Sequence, residues 1–126
     1  MCQELGIEEG NDAIPTIAFG FAGGIGNTGS VCGAVAGGVM AIALRLGRAD
    51  SMERALQNLA VFSEFRRRFE EEMGAVDCRE LTGLDLTDPE NQQGLMDSDV
   101  PMKVCFPAVG AAYRLALEIL NEREGG

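Results

Sequence analysis

A chain of 126 residues with 46% apolar side chains is enough for one modest core without disulfide staples. Twenty acidic against ten basic residues leave a formal net charge of −10, which opposes phosphate backbones and anionic lipid and argues against nucleic acid as a partner. With no histidine anywhere, Cys/His zinc sites, histidine-dependent hydrolases and C-x-x-C-H haem attachment are all excluded.

No basic stretch followed by an apolar run stands at Met1, so no secretory signal is read and the expected compartment is the cytoplasm. In that reducing setting the four scattered cysteines, Cys2, Cys32, Cys78 and Cys105, favour thiol, metal or redox chemistry over structural bridges.

Residues 13–44 carry no charged side chain, which is long enough to raise the question of a membrane span. Eight of the seventeen glycines fall between Gly20 and Gly38, however, and "GGIGNTG" divides the run into two shorter pieces, so no span is expected. The first piece reads as a helix from Asp12 to about Phe21, started by Asn11 or Asp12, with Pro15 tolerated in its first turn. The second, from about Ser30 to Leu46, reads as a helix that ends at Gly47 after Arg45. Its Gly33, Gly37 and Ala41 recur every four residues on one face, which predicts a central helix closely approached by a neighbour, with Gly37 intolerant of bulk.

From Ser51 to Met73, the positions Met52, Ala55, Leu59, Phe62, Phe69 and Met73 recur at helical intervals, Asp50 with Glu53 forms a capping-box pattern, and Gly74 stops the helix. The charged positions Glu64, Arg66, Arg67, Arg68, Glu70, Glu71 and Glu72 read as a solvated, ion-paired face. Asp77 and Glu80 repeat the capping-box pattern around a short helix beginning at Cys78. Residues 83–98 read as a long polar surface loop. Val109, Ala112, Tyr113, Ala116, Leu117 and Leu120 then mark one face of a last helix, which either starts or kinks at Pro107 and runs to about Arg123. The sum is an all-α single domain over 1–126, a small bundle of four to five helices around a Gly-rich one.

The run "GGIGNTGSVCGAVAGG" contains G-x-G-x-x-G, but a dinucleotide fingerprint also needs a following strand with a ribose-binding acid, and here one helix leads straight to another. The lysine of a phosphate-binding P-loop is missing as well. A thiol role fits better. With Thr28 or Ser30 as N-cap, Cys32 falls in the first turn of the Gly-rich helix, where free N–H groups and the dipole favour a thiolate. Cys78 starts its own short helix, although Asp77 and Glu80 oppose a negative charge there, and Cys105 lies near Lys103 and the start of the last helix.

Three blocks, "GFAGGIGNTGSVCGAVAGG", "F…EEMGAVDCREL" and "VCFPAVGAAYRL", resemble in order those of the C_GCAxxG_C_C family of redox-active proteins, with Cys32-Gly33-Ala34-Val35-Ala36-Gly37 on its C-G-A-x-x-G core. The resemblance runs from about Glu4 to Leu120. It implies a small helical protein of thiol redox or electron-transfer function, with Cys32, Cys78 and Cys105 matching three of four characteristic cysteines. The family's first cysteine lies on a helix upstream of the "ELGI" segment, whereas Cys2 stands just before Glu4, so that helix is absent here or Cys2 is a shifted stand-in.

The leading expectation is reversible cysteine oxidation with Cys32 as the main thiolate, Cys78 or Cys105 as its partner, and an unnamed redox partner outside the chain. The alternatives are a metal or Fe–S electron carrier ligated by Cys32, Cys78 and Cys105, and less readily Cys2, or an interaction module with inert cysteines. The Gly-rich face, together with the loss of the N-terminal helix if that helix is absent, suggests a homodimer.

Overall fold

The computed structural model describes residues 13–125; Cys2 and the helix-start candidates Asn11 and Asp12 lie outside them. The described residues form α1 (Ala13–Phe19), α2 (Gly33–Leu46), α3 (Met52–Met73), α4 (Cys78–Thr82), α5 (Pro89–Asp97), a π-helical segment (Pro101–Cys105) and α6 (Phe106–Gly125). Extended pairing among them is limited to an isolated antiparallel bridge between Val31 and Asp77. The all-α expectation holds.

The core is the triangle made by α2, α3 and α6, each packed on the other two. From α3 it takes Val61, Phe65 and Phe69, and from α2 it takes Val35, Ala41 and Ile42. From α6 come Ala108, Ala111, Ala112, Leu115, Ala116, Ile119 and Leu120. Alanine dominates the buried side of α6, which lets two helices approach it at once. Ala112, Ala116 and Leu120 of the expected face are buried, whereas Val109 points outward at 56% exposure. On α3 Phe69 is buried and Phe62 and Met73 pack against the core as expected, whereas Met52 and Leu59 are exposed at 75% and 59%.

Helix ends follow the local chemistry with small shifts. The Ser51 hydroxyl, not Asp50, caps α3 by accepting from Arg54 N at 3.1 Å, and Gly74 ends it in the left-handed region while donating to Glu70 O at 2.8 Å. Along α3 the expected ion-paired face is present, with Arg67 bridging Glu64 and Glu71 and Arg68 joining Glu64 to Glu122 of α6. Arg114 of α6 pairs with Glu72 of α3. The close approach on α2 is at Gly38 rather than Gly37. A Cβ at Gly38 would lie 2.8 Å from Phe65 Cε1, whereas one at Gly37 would meet nothing within 4 Å.

Around Pro107 the last helix is kinked only by a local widening. Phe106 N donates to Pro101 O, five residues back, and the helix then continues in α form. A proline without an N–H is accommodated by that looser turn. Among the described residues, the continuous stretch Pro101–Arg123 is long and apolar enough to cross a bilayer by length and composition. Its alanine-rich side forms the protein core.

Candidate thiol site

The glycine loop spends its backbone donors on itself. Gly26 N donates to Gly20 O, Gly29 N to Gly23 O and Ser30 N to Gly24 O, at 3.0 to 3.1 Å, while Asn27 N donates to Ala22 O and Thr28 N to Ile25 O. Five consecutive residues, Gly23 to Asn27, have φ between 58° and 74°, including the β-branched Ile25. A left-handed turn of this kind costs about 1–2 kcal/mol per non-glycine residue, so it must be held by its surroundings. N–H groups engaged by the loop's own carbonyls are not free to cradle a phosphate.

What the loop does is bring two cysteine segments together. Leaving it, residues 29–32 run antiparallel to residues 76–79: Cys32 N donates to Val76 O and Cys78 N to Ser30 O, both at 2.7 Å, and Arg79 N donates to Gly29 O at 3.1 Å. In such a pair, Cys32 and Cys78 lie on the same side as diagonal neighbours. Gly24 permits this, because a Cβ there would fall 2.6 Å from Ser30 N and 2.8 Å from Cys78 Cβ. The pairing also shifts a helix start. Ser30 and Val31 are extended, so α2 begins two to three residues later than expected and Cys32 is its N-cap, not a first-turn residue. Asp77 is the N-cap of α4 as expected, but its side chain makes no capping bond.

The third thiol comes from the π-helical segment, whose last residue is Cys105. Cys32, Cys78 and Cys105 line one cavity of about 270 Å³, walled by Gly23, Ala34, Leu81, Leu86, Leu95, Val104 and Ala108, with Thr82 as the polar side chain besides the thiols. All three are free thiols; Cys78 is buried and the other two are half-buried. Among the described residues no three Cys, Asp or Glu groups stand so as to hold a metal ion.

Electrostatics separate the three. Burial pushes the Cys78 thiol up from its ordinary value, the neighbouring Cys32 and Cys105 add to the rise, and a hydrogen bond with Thr82 opposes it. Burial likewise pushes Cys105 up, with Cys32 adding to it. The lean toward thiolate expected at these two positions is therefore reversed, because desolvation in an apolar cavity outweighs a short helix start. At α4 the reason is visible, since the N–H groups of Cys78 and Arg79 are already engaged by Ser30 and Gly29 carbonyls. Cys32 is the neighbour that both other thiols feel, and it caps a helix of 14 residues rather than 5.

A family model described as "Putative redox-active protein (C_GCAxxG_C_C)" matches residues 1–119. The chain belongs to the C_GCAxxG_C_C family. A protein of Archaeoglobus fulgidus described as an uncharacterized protein is 31% identical over 123 residues, covering 90% of this chain and 75% of the relative. No solved structure matches. Cys32, Cys78 and Cys105, the three cysteines singled out by the resemblance in sequence, line one cavity.

One wall of that cavity lies in the stretch expected to be loop. Residues 89–97 form α5, capped by Asp88, whose carboxylate accepts from Glu90 N at 2.9 Å, with Pro89 in the first turn. Leu86 is buried and Leu95 of α5 lines the thiol cavity. Asp88-Pro89-Glu90 is a helix-start signal of N-cap, N1 proline and first-turn acid, and it was available in the sequence. A short helix with two apolar anchors shows too little periodicity to be found otherwise.

Proposed function

We propose that the protein carries out reversible thiol–disulfide chemistry, with Cys32 as the attacking thiolate and Cys78 or Cys105 as the thiol that closes the disulfide. The observation that carries this reading is that three cysteines from separate segments line a single cavity with Cys32 as their shared neighbour. The family description, redox-active, agrees with it. Cys32 is half-buried and is the N-cap of α2, the kind of helix-start position from which reactive cysteines act. Its two neighbours are held protonated by burial, which suits a second thiol that gives up its proton only when the mixed disulfide has formed.

On this reading the protein works as a dithiol in a reducing, cytoplasmic compartment and exchanges electrons with a partner outside the chain. The apolar helix Pro101–Arg123 serves as a core helix rather than a span. The test is thiol counting on the native protein before and after mild oxidation, with Cys32→Ser, Cys78→Ser and Cys105→Ser variants. Cys32→Ser should abolish the oxidisable pair, and exactly one of the other two should abolish it as well. Three native thiols unreactive until the chain is denatured would instead mean packing residues. Bound iron and sulfide after purification without air would replace disulfide exchange with electron carriage by a cluster.

A further inference from the structure

The wall of the thiol cavity says what kind of molecule reaches it. Leu81, Leu86, Leu95, Val104 and Ala108 surround the three sulfurs, and among the described residues no charged side chain lines the space. Its volume of about 270 Å³ falls below the 300–1,000 Å³ usual for drug-sized ligands, so a peptide-sized disulfide does not fit inside. The segment that supplies Leu81, Thr82, Leu86 and Leu95 to the wall is acidic on its outside. From Glu80 to Met102 the sequence holds Glu80, Asp85, Asp88, Glu90, Asp97 and Asp99 and no lysine or arginine. Two of these are paired, Asp85 with Arg79 at 3.6 Å and Asp99 with Lys103 at 2.7 Å, and the rest add to the negative potential of a chain whose formal net charge is −10. A charged ligand would lose its hydration in the cavity without a counter-charge, and an anion would first be repelled outside it.

We propose that the substrate oxidised or reduced at this cavity is a small uncharged molecule with a sulfur–sulfur bond, and that anionic thiol compounds of the glutathione type are excluded. This rests on the thiol–disulfide reading above and adds the substrate class to it. In the oxidising direction, the Cys32 thiolate attacks one sulfur of R–S–S–R, its S–S bond breaks, and R–S⁻ leaves and takes up the proton that Cys32 released. The second cysteine then attacks the Cys32 sulfur of the mixed disulfide and loses its own proton, and the second R–S⁻ leaves with it. Two protein thiols are oxidised to one disulfide while one small disulfide is reduced to two thiols, so no further oxidant is required.

The experiment compares two chromogenic disulfides, neutral dithiodipyridine and dianionic dithiobis(nitrobenzoate), on the reduced native protein at neutral pH. The neutral-to-anionic rate ratio for the native protein, divided by that for the same chain in denaturant, is expected to be about tenfold or more, the lower end of electrostatic effects on association. Leu95→Lys, which places a cation in the wall from a helix without buried residues, should raise the anionic rate selectively. A native ratio within about twofold of the denatured one, or an equal rise of both rates in Leu95→Lys, would overturn the assignment of substrate class. Inertness of the native protein to both probes would overturn the thiol–disulfide reading itself.

Discussion

Gly37 and Gly38 are adjacent on α2 and identical in chemistry, and the packing separates them. At Gly38 an added methyl would sit 2.8 Å from Phe65 Cε1 and 3.1 Å from Cε2, and Phe65 is fully buried. A ring enclosed on all sides cannot swing away, so Gly38→Ala should incur an overpacking cost of about 1–3 kcal/mol. At Gly37 nothing lies within 4 Å, and Gly37→Ala should be stabilising by about 0.5–1 kcal/mol because alanine lowers the entropy cost of the helix interior. The same helix gain applies at Gly38, so it cancels in the comparison and the two variants should differ by about 1–3 kcal/mol. Urea unfolding reads this directly. With a slope of about 2 kcal/mol/M, the midpoints should be separated by about 0.5–1.5 M, with Gly38→Ala the lower. Coincident midpoints, or a less stable Gly37→Ala, would refute the placement of Phe65 against α2.

Gly24→Ala should destabilise the protein and perturb the thiol site together, since its Cβ would collide with Ser30 backbone and Cys78; Gly26→Ala, left-handed but open, should cost only about 1–2 kcal/mol. Paired urea curves with native thiol counts check both. Acid should weaken the ion-paired face of α3: hydrogen bonds from Arg67 and Arg68 hold the Glu64 carboxyl at about 2 instead of 4.5. A depressed folded pKa gives stability that is whole above the unfolded value and is lost as pH falls from about 4.5 toward 2, so Arg68→Ala should flatten the acid limb of a stability-against-pH profile. For Cys78 and Cys105 the sign is opposite, because burial raises both. Their contribution is whole below the unfolded thiol value and fades as pH rises through the folded ones, and native alkylation of both should lag that of the unfolded chain near neutral pH.

The long helices were legible because their stop signals and periods are strong: Gly47 and Gly74 end α2 and α3 where expected. Which side of each helix faces inward was less so. Gly38 and Ala108 make the contacts, and a residue with little side chain leaves almost no mark in a hydrophobic pattern. At the candidate site the sequence singled out three cysteines, through their local settings and the family blocks, that the structure places on one cavity, but it carried no distances between them. Their meeting depends on the pairing of residues 29–32 with 76–79, made by backbone groups that every residue possesses. The same pairing moved the α2 cap from Thr28 or Ser30 to Cys32. Desolvation of Cys78 and Cys105 was likewise hidden, since Leu86 and Leu95 of their cavity wall come from a segment that reads as polar loop.

The central claim is that Cys32 shares a reversible disulfide with one of its two cavity neighbours. The most direct measurement is non-reducing peptide mapping of the native protein equilibrated in uncharged dithiothreitol redox buffers, with free thiols blocked at each potential. The account predicts one disulfide that contains Cys32 and either Cys78 or Cys105, appearing and disappearing over a single two-electron transition. A disulfide that omits Cys32, or thiols that remain reduced across the whole series, would contradict it.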